Sequence, residues 1–214
     1  MLEIWGRKSS SNVQALMWCV GELGLEYERH DVGLHYGGND TPEFLAMNPN
    51  GTIPVMRDGG GIPLFESAAM VRYLAHQYGK PPFWPETFVE QTQVDMWAEW
   101  AKLNIALGFT APIFWNVVRT APIRQDPVAS GAAVAAFEKK LLIGEQQLTK
   151  NDYLAGKDFT RADIMFGHIL YRYFDIDIER AEMPAVSAYY ERLTQRSAFR
   201  EHVMVSYEEL RATD

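Results

Sequence analysis

The stretch from Asn48 to Ser67 constrains the fold more than any other part of the chain. It contains a short apolar strand segment around Pro54 and a glycine-rich reversal at 58–61, which together are typical of a β-hairpin. A proline inside a strand has no N–H for the ladder, so it belongs at an edge or a bulge. The return strand, Ile62 to Phe65, leads to Ser67, a favourable helix N-cap. The stretch predicts a hairpin, then a helix, with backbone near Pro54 open to an extended peptide.

Composition and charge exclude several classes of protein. A chain of 214 residues forms one large domain or two small ones. No apolar run approaches the roughly 18 residues that span a bilayer, and the charged Glu3 in a polar N-terminus predicts no secretory signal. The net charge of −8 argues against a nucleic-acid partner. The single cysteine, Cys19, excludes an internal disulfide and a CxxC motif. We therefore expect a cytoplasmic protein without membrane or nucleic-acid contacts.

The first third of the chain alternates strand and helix signals. Leu2 to Trp5 is a short buried-strand pattern, Val13 to Val20 has helical spacing of apolar residues, and Tyr27 to Val32 is a second strand pattern. A strand–helix–strand opening favours a parallel pair with a crossover helix. With one or two helical turns at Pro42 to Met47, then the hairpin and its helix, the predicted order to Gly79 is β-α-β-α-β-β-α.

A proline-dense segment at 80–86 separates this part from a half without strand signals. We predict an α/β domain at residues 1–79, a linker at 80–86, and an all-α domain at 87–214.

Caps and prolines divide the helical half. Thr87 to Glu90 fits a capping box, and Thr160 to Asp163 fits a second one. Pro112 is expected to kink or end the first long helix. The helix after the second box is expected to run to about Tyr173, and Ser197 is expected to cap a last short helix.

These motifs, taken together, resemble the cytosolic glutathione transferases along nearly the entire chain. Each motif alone is a weak signal, but their order and spacing are distinctive: Asn48-Pro49-x-Gly51-x-Ile53-Pro54, then Glu66-Ser67 before a helix, then Tyr153-Leu154-Ala155-Gly156 and Thr160-x-x-Asp163. The resemblance implies a thioredoxin-like N-terminal domain that binds glutathione and a helical domain that shapes a pocket for an electrophile. It also implies a homodimer with glutathione as co-substrate and no metal.

Four residues of the opening stretch suit the peptide and head group of glutathione. A cis Pro54 after Ile53 leaves the Ile53 backbone to pair with the cysteinyl unit. Glu66 offers a carboxylate to the γ-glutamyl ammonium. Ser67 offers a hydroxyl and a helix-terminal N–H to its carboxylate.

The group that activates the thiol is expected in the loop after the first strand. The resemblance implies a Tyr, Ser or Cys there, and this loop offers Ser9, Ser10, Ser11 and Asn12. It therefore resembles the serine-using, theta-like or related bacterial classes. Ser10 is the predicted donor, Asn12 assists, and Ser11 is the alternative. One or two of these four residues are expected to serve only as loop residues or as the cap of the helix.

The remaining site residues are less constrained by the pattern. His35 and Tyr36 are candidates near the glycine carboxylate. The electrophile pocket has an aromatic set beside a cation: Phe109, Phe114, Trp115 and Arg119. Aromatic residues on a helix also form cores, so both interpretations stay open for this set.

The leading functional hypothesis is an enzyme in which a stabilised glutathione thiolate attacks a small hydrophobic or halogenated electrophile. The alternatives are glutathione-dependent isomerisation, peroxide or disulfide reduction, or a non-catalytic binding or regulatory module. Cys19 lies inside the first helix, beyond the loop, and reads as a small apolar residue, which disfavours disulfide chemistry. Glu66 and Ser67 argue against a module without catalysis.

Overall fold

A computed structural model describes residues 1–213 and begins with a four-stranded mixed sheet. The strands are β1 Leu2–Trp5, β2 Tyr27–His30, β3 Val55–Asp58 and β4 Leu64–Phe65. Their order is β2-β1-β3-β4, with β1 and β2 parallel and the other pairs antiparallel. The parallel pair with a helix between its strands confirms the predicted β-α-β opening. Asp214, the last residue of the predicted helical domain, lies outside the described residues.

Three helices accompany the sheet, and helices alone make up the rest of the described chain. The first three are α1 Ser11–Glu22, α2 Pro42–Met47 and α3 Ser67–Tyr78. The later ones are α4 Phe88–Trp100, α5 Leu107–Phe109, α6 Asn116–Val118, α7 Pro127–Leu148, α8 Arg161–Gly167, α9 Leu170–Asp175, α10 Pro184–Thr194 and α11 Ser197–His202. Within residues 1–213, no helix has the length and apolar character needed to cross a bilayer. The predicted class, an α/β half followed by a helical half, is confirmed.

The hairpin strands are shorter than the sequence predicts. β3 begins at Val55 and β4 at Leu64, so Ile53, Pro54 and Ile62 lie outside the ladder. Pro54 has no N–H to donate, which delays the start of β3. Ile62 is mostly exposed and has no packing to hold it in a strand. The segment before β3 therefore runs along the sheet without pairing to it.

The cap of α3 differs from the prediction by one residue. Glu66 is the N-cap, and Ser67 is the first helical residue. Glu66 has φ +69°, a left-handed conformation that is uncommon outside glycine. Conformations of this kind cluster at binding sites, where the surrounding structure holds them.

Pro112 does not end its helix. The chain stays helical from Phe88 to Val118 through two stretches of wide π-helical turns, Ala101–Ala106 and Thr110–Trp115. Side chains bind carbonyls that these turns release: Thr110 Oγ1 donates to the Ala106 carbonyl over 2.7 Å, and Asn116 Nδ2 to the Pro112 carbonyl over 2.8 Å. The chain thus continues through Pro112 with wider turns instead of ending its helix there.

Helix α1 is enclosed on nearly all sides. Nine of its twelve residues are buried, including Cys19, a free thiol whose pKa burial raises. The Trp18 ring packs 4.8 Å from Phe199 and 5.5 Å from Phe159 between centroids. These contacts join α1 to the helical half and confirm Cys19 as an apolar core residue.

The second capping box forms as predicted and is completely buried. Thr160 is the N-cap of α8, and Asp163 accepts hydrogen bonds from the backbone N–H groups of Thr160 and Leu154, both over 2.8 Å. The hydroxyl of Tyr189 donates a third bond to Asp163 over 2.9 Å. One carboxylate therefore holds the start of α8, the preceding turn and α10 together.

Two helix boundaries in the last third differ from the prediction. The helix expected to reach Tyr173 is interrupted, because α8 ends at Gly167 and α9 begins at Leu170. Gly167 packs so closely on Leu193 that a Cβ there would lie 2.5 Å from Cδ1 of that leucine. Ser197 is the first residue of α11, and Arg196 is its N-cap.

Buried His168 gives the folding equilibrium a pH dependence. Its Nδ1 lies 3.0 Å from the Ile164 carbonyl oxygen. Burial, with a contribution from the Lys102 charge, lowers its pKa to about 3. The unfolded chain binds this proton near pH 6.5, so the contribution of neutral His168 is complete above that pH and is lost as pH falls towards 3. Burial raises the pKa of Asp163 to about 6, which gives the opposite slope between about pH 4 and 6.

We expect His168→Gln to remove the first of these slopes. The unfolding free energy of the variant minus that of the unmodified chain should increase by about 1.4 kcal/mol for each unit by which the pH is lowered from 6.5 to 4. Urea unfolding at several pH values measures this difference. His35→Gln, which removes an exposed imidazole, is the control. A constant difference between the variant and the unmodified chain would contradict the assignment to His168.

Candidate active site

A cavity of about 510 Å³ opens between the hairpin–α3 segment and the helix that begins with α4. Five residues predicted from the sequence line it: Asn12, Ile53, Pro54, Glu66 and Ser67. The facing wall is formed by the end of α4 and the turns after it, with Glu99, Lys102, Leu103 and Leu107. The two halves of the chain therefore meet around the predicted residues.

A larger groove of about 660 Å³ lies elsewhere, along α7 and residues 177–181. Two of its charged groups, Glu138 and Arg180, are already engaged: Glu138 accepts from the Tyr173 hydroxyl and the Ala181 N–H, both over 2.8 Å. Arg180 donates to backbone carbonyls, including that of Tyr173 over 2.7 Å. None of the predicted site residues lines this groove, so the smaller cavity is the better candidate.

Three side chains form a polar centre in the cavity. Asn12 Oδ1 accepts from Lys102 Nζ over 2.7 Å and from Ser67 Oγ over 3.2 Å. Lys102 Nζ also donates to Ser67 Oγ over 3.1 Å. Burial lowers the pKa of Lys102, while the charges of Glu66 and Glu99 oppose that shift. The centre brings a cation, an amide and a hydroxyl together in the cavity.

Glu66 and Ser67 lie where α3 begins. Ser67 is nearly buried, whereas the Glu66 side chain is exposed at the cavity. The first N–H groups of a helix have no partner within it and favour an anion. The pair thus offers a carboxylate for an ammonium group and a helix terminus for a carboxylate.

The Ile53–Pro54 peptide bond is cis, as the resemblance implies. Within residues 1–213, neither the N–H nor the C=O of Ile53 bonds to another backbone group. The cavity wall therefore includes free backbone groups of the kind an extended peptide pairs with.

The four polar residues of the first loop have different surroundings. Ser9 is buried, and its carbonyl accepts a hydrogen bond from Arg172. Ser11, the first residue of α1, is also buried. Ser10 is the N-cap, is partly exposed, and makes no side-chain capping bond. Asn12 belongs to the polar centre. Among the three serines, Ser10 is thus the most exposed residue, although none of the three lines the cavity.

Comparisons with known proteins agree with this geometry. The family models "Glutathione S-transferase, N-terminal domain" and "Glutathione S-transferase, C-terminal domain" match residues 9–77 and 124–197. Glutathione S-transferase GstB of Escherichia coli (strain K12) is 32% identical over 206 residues, covering 96% of this chain and 99% of GstB. The chain belongs to the glutathione S-transferase family.

Two further members support the assignment. Glutathione S-transferase 3 of Zea mays is 32% identical, covering 94% of this chain and 93% of the maize protein. The theta class glutathione S-transferase of Xanthomonas axonopodis pv. citri, with glutathione bound, is 39% identical. That structure superimposes with a TM-score of 0.90 over 96% of this chain and 98% of its own. The family predicted from the motifs is confirmed.

The two residues predicted near the glycine end of glutathione do not line the cavity. His35 and Tyr36 lie in a short 3₁₀ turn, exposed, with ring centroids 4.0 Å apart. His35 Nε2 lies 3.7 Å from a carboxylate oxygen of Glu209. Their role in this transferase stays a prediction.

The predicted aromatic pocket is partly wrong. Phe109 and Phe114 are completely buried, and their ring centroids lie 6.2 Å apart in the core, so they face no open pocket. Trp115 is exposed, and the Arg119 guanidinium lies 4.9 Å from its ring centroid. The helical spacing identified an apolar face but did not distinguish core from cavity.

Lys102 is a site residue that the sequence analysis missed. It is the only charged residue between Glu99 and Arg119 in the sequence. Its neighbours Ala101 and Ile105 are buried. A lone cation within an apolar helix is costly unless it meets a partner or a ligand, and that was the available signal.

Proposed function

We propose that this transferase activates the thiol of glutathione at the N-terminus of α1 and adds it to a small hydrophobic or halogenated electrophile. The observation that carries the proposal is the polar centre of Asn12, Ser67 and Lys102, which lines a cavity beside a free backbone edge. A short charged peptide needs both features in one place.

The binding part of the proposal assigns each end of the cavity to a chemical group. Glu66 pairs with the γ-glutamyl ammonium, and Ser67 with the α3 N-terminus receives the adjacent carboxylate. Lys102 adds a positive charge for that carboxylate. The backbone of Ile53 pairs with the cysteinyl unit.

The catalytic part of the proposal concerns the sulfur. A free thiol with a pKa near 8.5 is only a few per cent ionised at neutral pH. The Ser10 hydroxyl donates to the thiolate, Asn12 assists, and the α1 terminus favours the negative charge. In halide displacement, the thiolate forms the C–S bond, the halide leaves with the bonding electrons, and the thiol proton goes to solvent.

We further propose that the protein works as a cytoplasmic homodimer. Exposed apolar side chains on the hairpin and α4 support a subunit interface: Ile62, Phe65, Phe88, Val89 and Met96. A chain with one cysteine, kept as a free thiol, suits a reducing compartment.

Ser10→Ala tests the catalytic assignment. Loss of one donor to the thiolate should lower kcat with 1-chloro-2,4-dinitrobenzene by about 100-fold and raise the thiol pKa of bound glutathione by about two units. Steady-state turnover assays measure kcat, and the ultraviolet absorbance of the thiolate, followed against pH, measures the thiol pKa. Glutathione affinity at low pH, where the thiol is neutral, should change little.

Ser11→Ala is the matched control and should retain activity. An unchanged thiolate absorbance in Ser10→Ala would reject Ser10 as donor. A protein that binds glutathione but turns over no electrophile would support the binding-module alternative instead.

A further inference from the structure

Three arginines lie near the first loop without a carboxylate partner. Within residues 1–213, Arg7, Arg119 and Arg172 form no ion pair. Five other arginines do form them, namely Arg29, Arg72, Arg161, Arg196 and Arg211. The three are set apart from the remaining arginines because their charges act on one another.

Arg172 is the most constrained of the three. It is 3% exposed, donates from Nη2 to the Ser9 carbonyl over 2.5 Å, and lies 4.5 Å from the Phe114 ring centroid. Within the described residues, its Nε has no hydrogen-bond partner, and neither has the buried Oγ of Ser9. Unpartnered buried polar groups are rare in folded proteins and need a specific reason.

Arg7 connects this cluster to the glutathione cavity. Its Nε is also buried and has no hydrogen-bond partner in the part of the chain that the structure describes. A Cβ placed on Gly33 would meet Arg7 Nη1 at 3.1 Å and Ile53 Cδ1 at 3.4 Å, so the guanidinium and Ile53 share the space beside that glycine. Because Ile53 lines the cavity, Arg7 lies at its margin.

Arg119 completes the cluster from the end of α6. Burial lowers the pKa of Arg172 to about 10, and the charges of Arg7 and Arg119 also lower it. Burial and the Arg119 charge lower the pKa of Arg7. The acidic groups nearby have other partners, since Glu209 lies 3.7 Å from His35 and Asp175 accepts from the Tyr207 hydroxyl. The three arginine charges thus repel one another, and the Glu209 charge offsets only part of this effect at Arg7.

We infer that Arg7, Arg119 and Arg172 form an anion-binding subsite beside the glutathione cavity, and that the electrophile carries a carboxylate. Guanidinium groups bind carboxylates through paired N–H donors, and this subsite leaves such donors unused. The inference rests on the proposed transferase function and narrows its substrate class. The carboxylate takes no part in the bond changes; it orients the electrophilic carbon towards the sulfur.

Paired electrophiles with and without the charge test this subsite. The substrates are 4-chloro-3-nitrobenzoate and the neutral 4-chloro-3-nitrobenzamide. In each, the glutathione thiolate forms the C–S bond and chloride leaves with the bonding electrons. We expect Arg119→Gln to raise KM for the benzoate by about 10-fold and to leave KM for the benzamide and for glutathione within about twofold. Arg119→Lys should restore part of the loss.

Arg124→Gln is the control. Arg124 is exposed and lies five positions after Arg119, and its substitution removes the same positive charge. Equal effects of Arg119→Gln on both electrophiles, or an equal effect of the control, would overturn the inference. A rise in KM for glutathione instead would assign the arginines to the glycine carboxylate of glutathione, which also overturns it.

Calorimetry with unreactive 3-nitrobenzoate separates this inference from the transferase proposal. Weaker binding by Arg119→Gln than by the unmodified chain supports the subsite, even if no electrophile is turned over. Equal binding of 3-nitrobenzoate and 3-nitrobenzamide by the unmodified chain overturns it, whatever the turnover.

Discussion

Replacement of Lys102 by methionine should weaken the binding of glutathione by about 100-fold. Methionine keeps the length and apolar stem of the side chain but removes the cation that bonds to Asn12 and Ser67 over 2.7 and 3.1 Å. A charged donor in a half-buried cavity is worth about 1.5–3 kcal/mol when its anion is bound. Titration calorimetry with glutathione measures the change.

A matched control and a double variant sharpen this test. Lys140→Met removes an exposed lysine of α7 and should leave the affinity unchanged. Because Lys102 and Ser67 share one hydrogen-bond network, Ser67→Ala should add little to Lys102→Met. Additive losses in the double variant would show that Lys102 and Ser67 bind glutathione independently rather than as one network. An unchanged affinity in Lys102→Met would show that Lys102 does not bind glutathione.

Asp163→Ala should lower the free energy of unfolding by about 3–5 kcal/mol. The substitution leaves the N–H groups of Leu154 and Thr160 and the hydroxyl of Tyr189 without their acceptor, in a region closed to water. The loss should exceed that of any single exposed substitution. Urea unfolding followed by circular dichroism gives the value.

Two comparison variants separate the effect of the Asp163 carboxylate on stability from the effects of changes at neighbouring residues. Thr160→Ala removes the other half of the capping box and should cost about 1 kcal/mol. Asp152→Asn alters an exposed carboxylate in the preceding turn and should change stability by less than about 0.5 kcal/mol. An Asp163→Ala protein within about 1 kcal/mol of the unmodified chain would contradict the central role of this carboxylate.

The sequence predicts this fold well where a structural element depends on residues that are close together in the chain. The strand–helix–strand opening follows from apolar spacing, and the buried box at Thr160 follows from a four-residue pattern. The exact caps are less certain, because a carboxylate at Glu66 and a hydroxyl at Ser67 both suit the start of a helix.

The site is harder to predict because its contacts join distant parts of the chain. Asn12 and Lys102 are 90 positions apart, and no local pattern records their meeting. Two stretches of π-helical turns also change the helical phase after Trp100. The sequence left both the core and the pocket interpretation open for Phe109 and Phe114, and the structure places both rings in the core.

The burial of α1 has a mechanical consequence for the enzyme. The loop predicted to activate the thiol is joined to a helix that packs on Phe159 and Phe199 of the helical half and on α3. Arg196 bonds twice to Glu22 at the far end of the same helix. Helix α1 is therefore part of one core that the two halves of the chain share. We expect the loop at its N-terminus to keep its position when substrates enter and leave the cavity.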